Sequence, residues 1–254
     1  MEFFVQPDSI VRKIWGKGDT ILFIFAGAAA EFALNRAVDW LYYTGRLPAD
    51  PLGRLFSTVS YARRIVFSPA PEAVKAIDNI TAIHKTVENN RGSEIPDWAY
   101  RDVLFMLIDY SIRSFELLER KLTAAEKQET FDVFYRLGLR MNLQGLPADY
   151  ESWLLMRQHH MEHDLVVSKY TTDLFLQYKK HLGSFRYTLL KGGQAMVVPQ
   201  KVKQLLSFSH IHWLSPVLAI YKITRAFGLN SALRNAILPK KYKKEIRDLD
   251  VATA

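Results

Sequence analysis

Apolar residues recur every three or four positions along nearly the whole chain, and this spacing limits the fold more than any other feature of the sequence. Such spacing places the apolar side chains on one face of an α-helix. Prolines, glycines and turn clusters separate the apolar runs. Alternating apolar and polar runs bounded by hairpin turns, which indicate β-strands, are scarce. The sequence therefore predicts an all-α protein of about nine or ten helices.

Capping residues predict where several helices begin. Asp19 is predicted to cap one long helix from about residue 20 to about residue 43, and Asp50-Pro51 to cap a helix that runs to about residue 67. Thr123 and Glu126 have the spacing of a capping box. Further helices are predicted after the prolines at 69 and 71 and from near residues 96, 149, 168, 199 and 216. The helix from 168 is expected to extend to about 182, and either Gly183 or Gly192-Gly193 is expected to end this region.

The length of 254 residues suits one large domain, and no flexible linker divides the chain. We predict a single domain over 1–254, with its core at about 15–240 and a basic tail at 240–254. The formal net charge is +8. Basic residues cluster near the C-terminus, and such a segment suits an anionic membrane surface, with a solvated tail as the alternative. The sequence contains no recognisable nucleic-acid-binding motif, which argues against a nucleic-acid partner. The clustered basic residues are Lys222, Arg225, Arg234, Lys240, Lys241, Lys243, Lys244 and Arg247.

The chain has no cysteine, which excludes disulfides, thiolate haem ligation and iron–sulfur clusters. Its N-terminal residues lack the pattern of a signal peptide. The most apolar stretch, residues 21–30, is about half the length that a membrane-spanning helix needs. These features predict a cytoplasmic location, with peripheral membrane contact through the basic tail as an option.

His84 falls within an apolar stripe of a predicted helix. An imidazole directed at a core needs a hydrogen-bond partner or a metal. Spacing alone favours a core histidine with a satisfied hydrogen bond, and the alternative is an axial ligand to a haem iron. The stripe consists of Ala73, Ala76, Ile77, Ile80, Ile83 and Val87.

Arg54, Thr58 and Tyr61 form a polar stripe on the helix that follows Asp50-Pro51. An arginine and a threonine one turn apart can bind an anion or a polar oxygen. A surface face with Arg54 paired to an acidic neighbour is the alternative interpretation.

A third group of candidates is the segment His159-His160-Met161-Glu162-His163, which contains the His-x-x-Glu-His pattern of a zinc hydrolase. In that hypothesis His159 and His163 bind zinc and Glu162 is the general base, with Glu245 as the available late ligand. The favoured interpretation is a polar helix end, where histidines suit the helix dipole.

Several ordered motifs resemble the family of MpaB-type oxygenases, which includes rubber oxygenases of the latex clearing type. The resemblance runs from about residue 15 to about residue 240. At four places the chain departs from the common family pattern, at Asn35-Arg36, at Thr44, at Leu104-Phe105-Met106, and at Thr81 with Glu88. The matching segments are Gly18-Asp19-Thr20 with Ala26–Ala30, Asp50–Thr58, Ala82–Val87, Leu122–Glu126, Leu146–Glu151 and Asp164–Ser168.

The resemblance implies an all-α fold that binds haem b and uses dioxygen to cleave carbon–carbon double bonds of a hydrophobic, isoprenoid substrate. It implies that His84 is the axial iron ligand, and that Arg54 and Thr58 lie on the distal side as catalytic residues, with Arg54 also contacting the cofactor. A non-catalytic helical protein that binds a lipid or a membrane partner is the alternative function.

Overall fold

A computed structural model describes residues 2–45, 49–208, 216, 218, 221 and 222, and this part of the chain is all-α as the sequence predicts. The described residues contain no strand, and the two isolated bridges join Phe3 to Pro69 and Asn35 to Leu165. They contain ten helices: α1 (Ile10–Trp15), α2 (Gly18–Phe32), α3 (Val38–Tyr43), α4 (Pro51–Phe67), α5 (Ala70–Arg91), α6 (Asp97–Leu118), α7 (Ala124–Arg140), α8 (Tyr150–His163), α9 (Lys169–Val197) and α10 (Gln200–Leu205).

The structure confirms the helix starts predicted at Asp50, Thr123 and Asp149. The Asp50 carboxylate accepts a hydrogen bond from the backbone N–H of Gly53 at 3.0 Å, at the start of α4. Thr123 and Glu126 form both bonds of the capping box of α7. The Asp149 carboxylate accepts from the Ser152 backbone at 2.8 Å and caps α8. Each cap satisfies an N–H that the helix itself leaves unpaired.

The prediction of one helix from 20 to 43 is wrong, because α2 ends at Phe32 and α3 begins at Val38. In the break, the side-chain oxygen of Asn35 accepts from the Ala37 backbone at 2.8 Å, and Asn35 forms a bridge with Leu165. Asp19 is also not the N-cap of α2. The helix begins one residue earlier, at Gly18, and the Asp19 carboxylate lies in the first turn, where its charge suits the helix dipole.

The end of α9 also differs from the prediction. Gly183 is kinked, with φ 73° and ψ 165°, but the helix resumes and continues to Val197. A left-handed φ suits glycine, which has no Cβ to clash with the backbone. The six-residue α1 was not predicted, whereas α10 begins at Gln200, close to the start predicted near 199. The predicted helix from 216 lies mostly outside the described residues.

The centre of the fold is the pair α2 and α6, which have the most extensive contact of any two helices in the described residues. Trp15 of α1 packs fully buried beside them, and its indole N–H donates to Ser111 of α6 at 3.1 Å. The helices α4 and α5 form a second closely packed pair. Among the described residues, none of the helices is long and apolar enough to cross a membrane.

Gly27 allows α2 and α6 to approach closely, because a Cβ at this position would overlap the ring of Tyr110. Tyr110 is fully buried and its hydroxyl donates to Glu31 at 2.7 Å, so the ring cannot easily move away. We therefore expect Gly27→Ala to lower the free energy of unfolding by about 1–3 kcal/mol, the usual cost of overpacking. Thermal and urea unfolding measure this change.

Gly193→Ala is the matched control. A Cβ there would lie 3.6 Å from the Phe23 ring, an ordinary contact, and alanine should raise stability by up to about 1 kcal/mol through helix propensity. Equal effects of the two substitutions would contradict the close packing of α2 on α6.

Candidate functional site

His84 lies on α5, with its ring edge-on to the ring of Tyr100 on α6. The ring centroids are 5.2 Å apart and the planes make an angle of 84°. Its Nδ1 atom is buried and has no hydrogen-bond partner among the described residues. The structure therefore leaves a buried ring nitrogen of His84 unsatisfied, which is unusual for a polar atom in a folded protein.

The imidazole of His84 is held in its neutral form. Burial lowers its pKa to about 4, the positive charge of Arg54 adds to this effect, and the carboxylate of Glu88 opposes it. At neutral pH the ring therefore carries no charge. Neutral imidazole is the form that binds a metal through a nitrogen lone pair.

Arg54 and Thr58 lie on α4, which packs directly against α5. The guanidinium of Arg54 donates through Nη1 to the hydroxyl of Thr58 at 2.8 Å, and this hydroxyl donates to the Arg54 carbonyl at 3.2 Å. Because Arg54 also influences the pKa of His84, its charge lies within electrostatic range of the imidazole. The structure thus brings together the three residues that the resemblance singled out.

Hydrogen bonds to the Glu88 carboxylate hold the region around His84 in place. The Glu88 side chain is buried and accepts from the Ile95 backbone and from the Tyr100 hydroxyl, each at 3.0 Å, while Lys85 lies 3.2 Å away. Burial would raise the pKa of Glu88, but these hydrogen bonds lower it overall. Glu88 therefore orients Tyr100, and Tyr100 in turn packs against the His84 ring.

The apolar stripe around His84 is part of the core only in its first half. Ala73, Ala76 and Ile77 are buried, whereas Ile83 is 45% exposed, so its predicted place in the core is wrong. His84 accordingly lies at the edge of the core and not in its centre.

A second group of polar residues, which we call the buried charge cluster, consists of Glu31, Asp102, Asp109, Arg157 and His160. All five have less than a tenth of their surface exposed. Arg157 of α8 contacts both Glu31 oxygens, at 2.5 and 2.6 Å, and Asp109 of α6 at 2.8 and 3.1 Å. This guanidinium therefore joins α2, α6 and α8.

Electrostatics keep the central pair of this cluster ionised. Burial alone would raise the pKa of Glu31, but the charge and hydrogen bonds of Arg157, with those of His160, lower it to about 2. Burial and the Glu31 charge raise the pKa of Tyr110, so its hydroxyl stays protonated and donates to Glu31. Glu31 is thus an anion that accepts hydrogen bonds from Arg157, His160 and Tyr110.

His160 lies in the last turn of α8, as the sequence predicts, but its burial was not predicted. Its side chain is 2% exposed; Nε2 lies 2.8 Å from Glu31, and Nδ1 lies 2.6 Å from Asp102. Burial lowers its pKa, but the two carboxylates outweigh burial and raise it. The missed signal was spacing, because Trp153, Arg157 and His160 share one face of α8 and all three are buried.

The residues His159, Glu162 and His163 of the zinc-hydrolase hypothesis lie at the protein surface. His159 and His163 are exposed, and their rings stack with centroids 4.1 Å apart. Glu162 is exposed and accepts from Gln158 at 2.9 Å. The candidate ligand Glu245 lies outside the described residues. These histidines therefore form a surface pair, which agrees with the predicted polar helix end.

One surface cleft opens beside the buried charge cluster. Its walls include Asp109, Tyr150, Trp153 and Arg157, and His84 is not among the residues that line it.

The described residues thus form an all-α fold in which a neutral, unsatisfied histidine lies within electrostatic range of an arginine. A comparison with protein families assigns the class: the model described as "ER-bound oxygenase mpaB/B'/Rubber oxygenase, catalytic domain" matches residues 13–240. The match covers most of the chain, so the chain belongs to this oxygenase family, as the resemblance implied. Searches of curated proteins and of solved structures found no match.

Arg157→Met tests the importance of the buried charge cluster. Methionine keeps much of the side-chain volume but leaves Glu31 and Asp109 without their shared cation. We expect a loss of about 3–5 kcal/mol in the free energy of unfolding, the usual cost of removing one partner of a buried ion pair. Urea unfolding monitored by circular dichroism measures it.

The control is Arg140→Met, which removes an exposed pair with Asp78 whose side chains are 49% and 47% exposed. Exposed pairs of this kind contribute little to stability, because solvent screens them. A loss for Arg157→Met no larger than that for Arg140→Met would contradict the central role of the cluster.

Proposed function

We propose that this protein is a haem-b-dependent oxygenase that uses dioxygen to act on a hydrophobic, isoprenoid substrate. His84 is the axial ligand of the iron in this proposal, and Arg54 and Thr58 are the catalytic residues. The observation that carries the proposal is the buried Nδ1 of His84, which has no hydrogen-bond partner among the described residues.

The imidazole of His84 fits a metal on two grounds. A buried polar atom without a partner costs free energy, which a bond to iron would offset. Its depressed pKa also means that no proton competes for the ring at neutral pH. Packing against Tyr100 limits rotation of the ring, so the nitrogen is directed before any ligand binds.

Arg54 supplies a fixed positive charge close to His84. Its hydrogen bond to Thr58 fixes the side chain along α4, which lowers the cost of ordering it around a ligand. The guanidinium can donate to a haem carboxylate or to a dioxygen oxygen that gains negative charge. Thr58 positions this donor and offers its own hydroxyl as a second polar contact.

Haem, when bound, supplies the electronic states needed to activate dioxygen, which amino-acid side chains lack. The substrate class rests on the family, whose description names a rubber oxygenase. Rubber is an isoprenoid hydrocarbon, so a hydrophobic substrate of this kind is consistent with the family. The partners of the protein are accordingly dioxygen and an apolar small molecule or chain.

The extent and location of the domain also remain proposals. We propose one domain with a core from about residue 15 to 240, which the family match to residue 240 supports. A cytoplasmic location and contact of the basic tail with anionic membranes rest on the sequence alone. Apart from Lys222, the basic residues of this segment lie outside the described residues.

Haem titration of the purified protein tests the proposal. We expect a Soret band that saturates at about one haem per chain, because one histidine provides the axial ligand. His84→Ala should abolish this stoichiometric band, whereas His159→Ala, which removes an exposed histidine, should leave it unchanged. Arg54→Met should keep haem but lower oxygen consumption with an isoprenoid substrate by roughly 10²–10³-fold, as loss of a charge-stabilising donor does.

Two outcomes would contradict the proposal. One is the absence of a Soret band in the unmodified protein after addition of haem. The other is a band in His84→Ala that equals the band of the unmodified protein in position and stoichiometry. Circular dichroism of each variant shows whether the helical fold is intact.

A further inference from the structure

One long stretch of the sequence contains no acidic residue. From residue 174 to residue 244 there is no aspartate or glutamate, whereas the same stretch contains thirteen lysines and arginines. Its first part forms most of α9, which lies within the described residues. A charge asymmetry of this kind is typical of a surface that meets a negatively charged partner.

The helix α9 folds back on itself at Gly183. Near its beginning, the Thr171 hydroxyl donates to the Ala33 carbonyl at 2.7 Å. At its end, the side chain of Val197 lies 3.0 Å from the place that a Cβ on Gly27 would occupy. These two contact points are about 9 Å apart along α2, whereas a straight helix would separate the two residues of α9 by about 39 Å. The non-helical φ of 73° at Gly183 provides the bend, so α9 is a helical hairpin with Gly183 at its tip.

The hairpin is attached to the core along its arms, while its tip is exposed. Partly buried side chains on both sides of the bend pack against an apolar cluster that contains Leu174 and Tyr178. At Gly183, an added Cβ would meet no heavy atom within 4 Å among the described residues. His181 and Ser184, which flank the bend, are exposed. The packed side chains are Leu182, Tyr187 and Leu190.

An aromatic ring and a pair of lysines surround this tip. Phe185 is 71% exposed, and Lys179 and Lys180 are exposed as well. All three lie within about one helical turn of Gly183. The acidic residue of α9, Asp173, precedes Lys179 by more than the three or four residues over which helical side chains pair. The tip therefore combines an exposed apolar ring with positive charge that no carboxylate of the same helix neutralises.

This combination suits the surface of an anionic bilayer. An exposed aromatic ring gains free energy when it enters the boundary between headgroups and acyl chains. Lysines beside it can extend their charged ends to the phosphate groups while their methylene stems stay in the apolar layer. Duplex nucleic acid attracts the same cations but offers no apolar layer to the ring of Phe185. The exposed ring therefore favours a membrane as the partner.

We propose that the tip of the α9 hairpin docks on anionic phospholipid bilayers, with Phe185 inserted at the headgroup boundary and Lys179 and Lys180 bound to lipid phosphates. This surface is distinct from the basic tail at 240–254. The proposal does not depend on haem or on His84.

Co-sedimentation of the full chain with vesicles tests the proposal. The vesicles are phosphatidylcholine with about 30% phosphatidylserine, and pure phosphatidylcholine vesicles serve as the neutral comparison. We expect binding to the anionic vesicles that weakens with added salt, and much weaker binding to the neutral ones, because salt screens the attraction of the lysines to the lipid.

Lys179→Gln/Lys180→Gln should lower the partition coefficient on anionic vesicles by about 10- to 30-fold, since each lysine near such a surface contributes about 5-fold. The matched control is Lys13→Gln/Lys75→Gln, which removes the same charge from exposed lysines outside α9 and should leave the partition coefficient unchanged.

Phe185→Ser should lower the partition coefficient by about 10-fold, because it removes the apolar ring that enters the bilayer. Leu155→Ser is its control, since Leu155 is 72% exposed on α8 and should have no effect. Equal melting temperatures of all variants show that the fold is retained.

A fluorescent label reports whether the hairpin itself enters the bilayer. The chain has no cysteine, so Ser184→Cys can carry a single environment-sensitive fluorophore at the tip. We expect its emission to shift to the blue on anionic vesicles and to be quenched by lipids with brominated acyl chains. The same label at Ser93→Cys, an exposed position after α5, should show neither change. This comparison separates docking by the hairpin from docking by the basic tail.

Any of four results would overturn the proposal. The first is no binding of the unmodified protein to the anionic vesicles. The second is equal effects of the hairpin variants and their matched controls. The third is unchanged emission of the label at Ser184→Cys on vesicle-bound protein. The fourth is a larger effect of the hairpin variants on binding to duplex DNA than on binding to vesicles, which would identify a nucleic-acid surface instead.

Discussion

The ion pair between Glu31 and Arg157 is the interaction on which the centre of the fold depends. Glu31 is fully buried on α2 and Arg157 is 5% exposed on α8, so neither charge is stabilised by bulk water. Burial of either one alone would be prohibitively costly. The two-point contact with Glu31, together with Asp109 on α6, therefore requires the three helices to pack in one relative arrangement.

The two buried histidines show how the same side chain acquires opposite properties in one protein. Burial and the nearby charge of Arg54 lower the pKa of His84, whereas Glu31 and Asp102 raise that of His160 above its usual value despite burial. One imidazole is thus neutral and has an unsatisfied nitrogen, and the other is embedded among carboxylates. In our proposal the first binds a haem iron, whereas the second pairs with the carboxylates of Glu31 and Asp102 at 2.8 and 2.6 Å.

Features set by neighbouring residues could be predicted from the sequence. The caps at Asp50, Thr123 and Asp149 involve hydrogen bonds to residues three positions away, so sequence spacing reveals them. The break at Asn35 could not be predicted, because it involves pairing with Leu165 far along the chain. The burial of His160 was missed for the same reason, since its partner Glu31 is 129 residues away.

The candidate site could be predicted only in part. The sequence shows the spacing of Arg54 and Thr58 and the apolar setting of His84. That these residues lie close together in space can be inferred only from the family resemblance or from the packing of α4 on α5. Composition and periodicity do not reveal that the Nδ1 of His84 has no partner, because this depends on which side chains of other helices reach it.

A crystal structure of the haem-loaded protein would show whether His84 binds the iron of a haem. We expect one haem whose iron is bonded to a ring nitrogen of His84, with Arg54 and Thr58 in the same pocket. A structure in which the iron is bonded to another residue, or in which haem binds elsewhere while His84 remains packed against Tyr100 without a ligand, would contradict it.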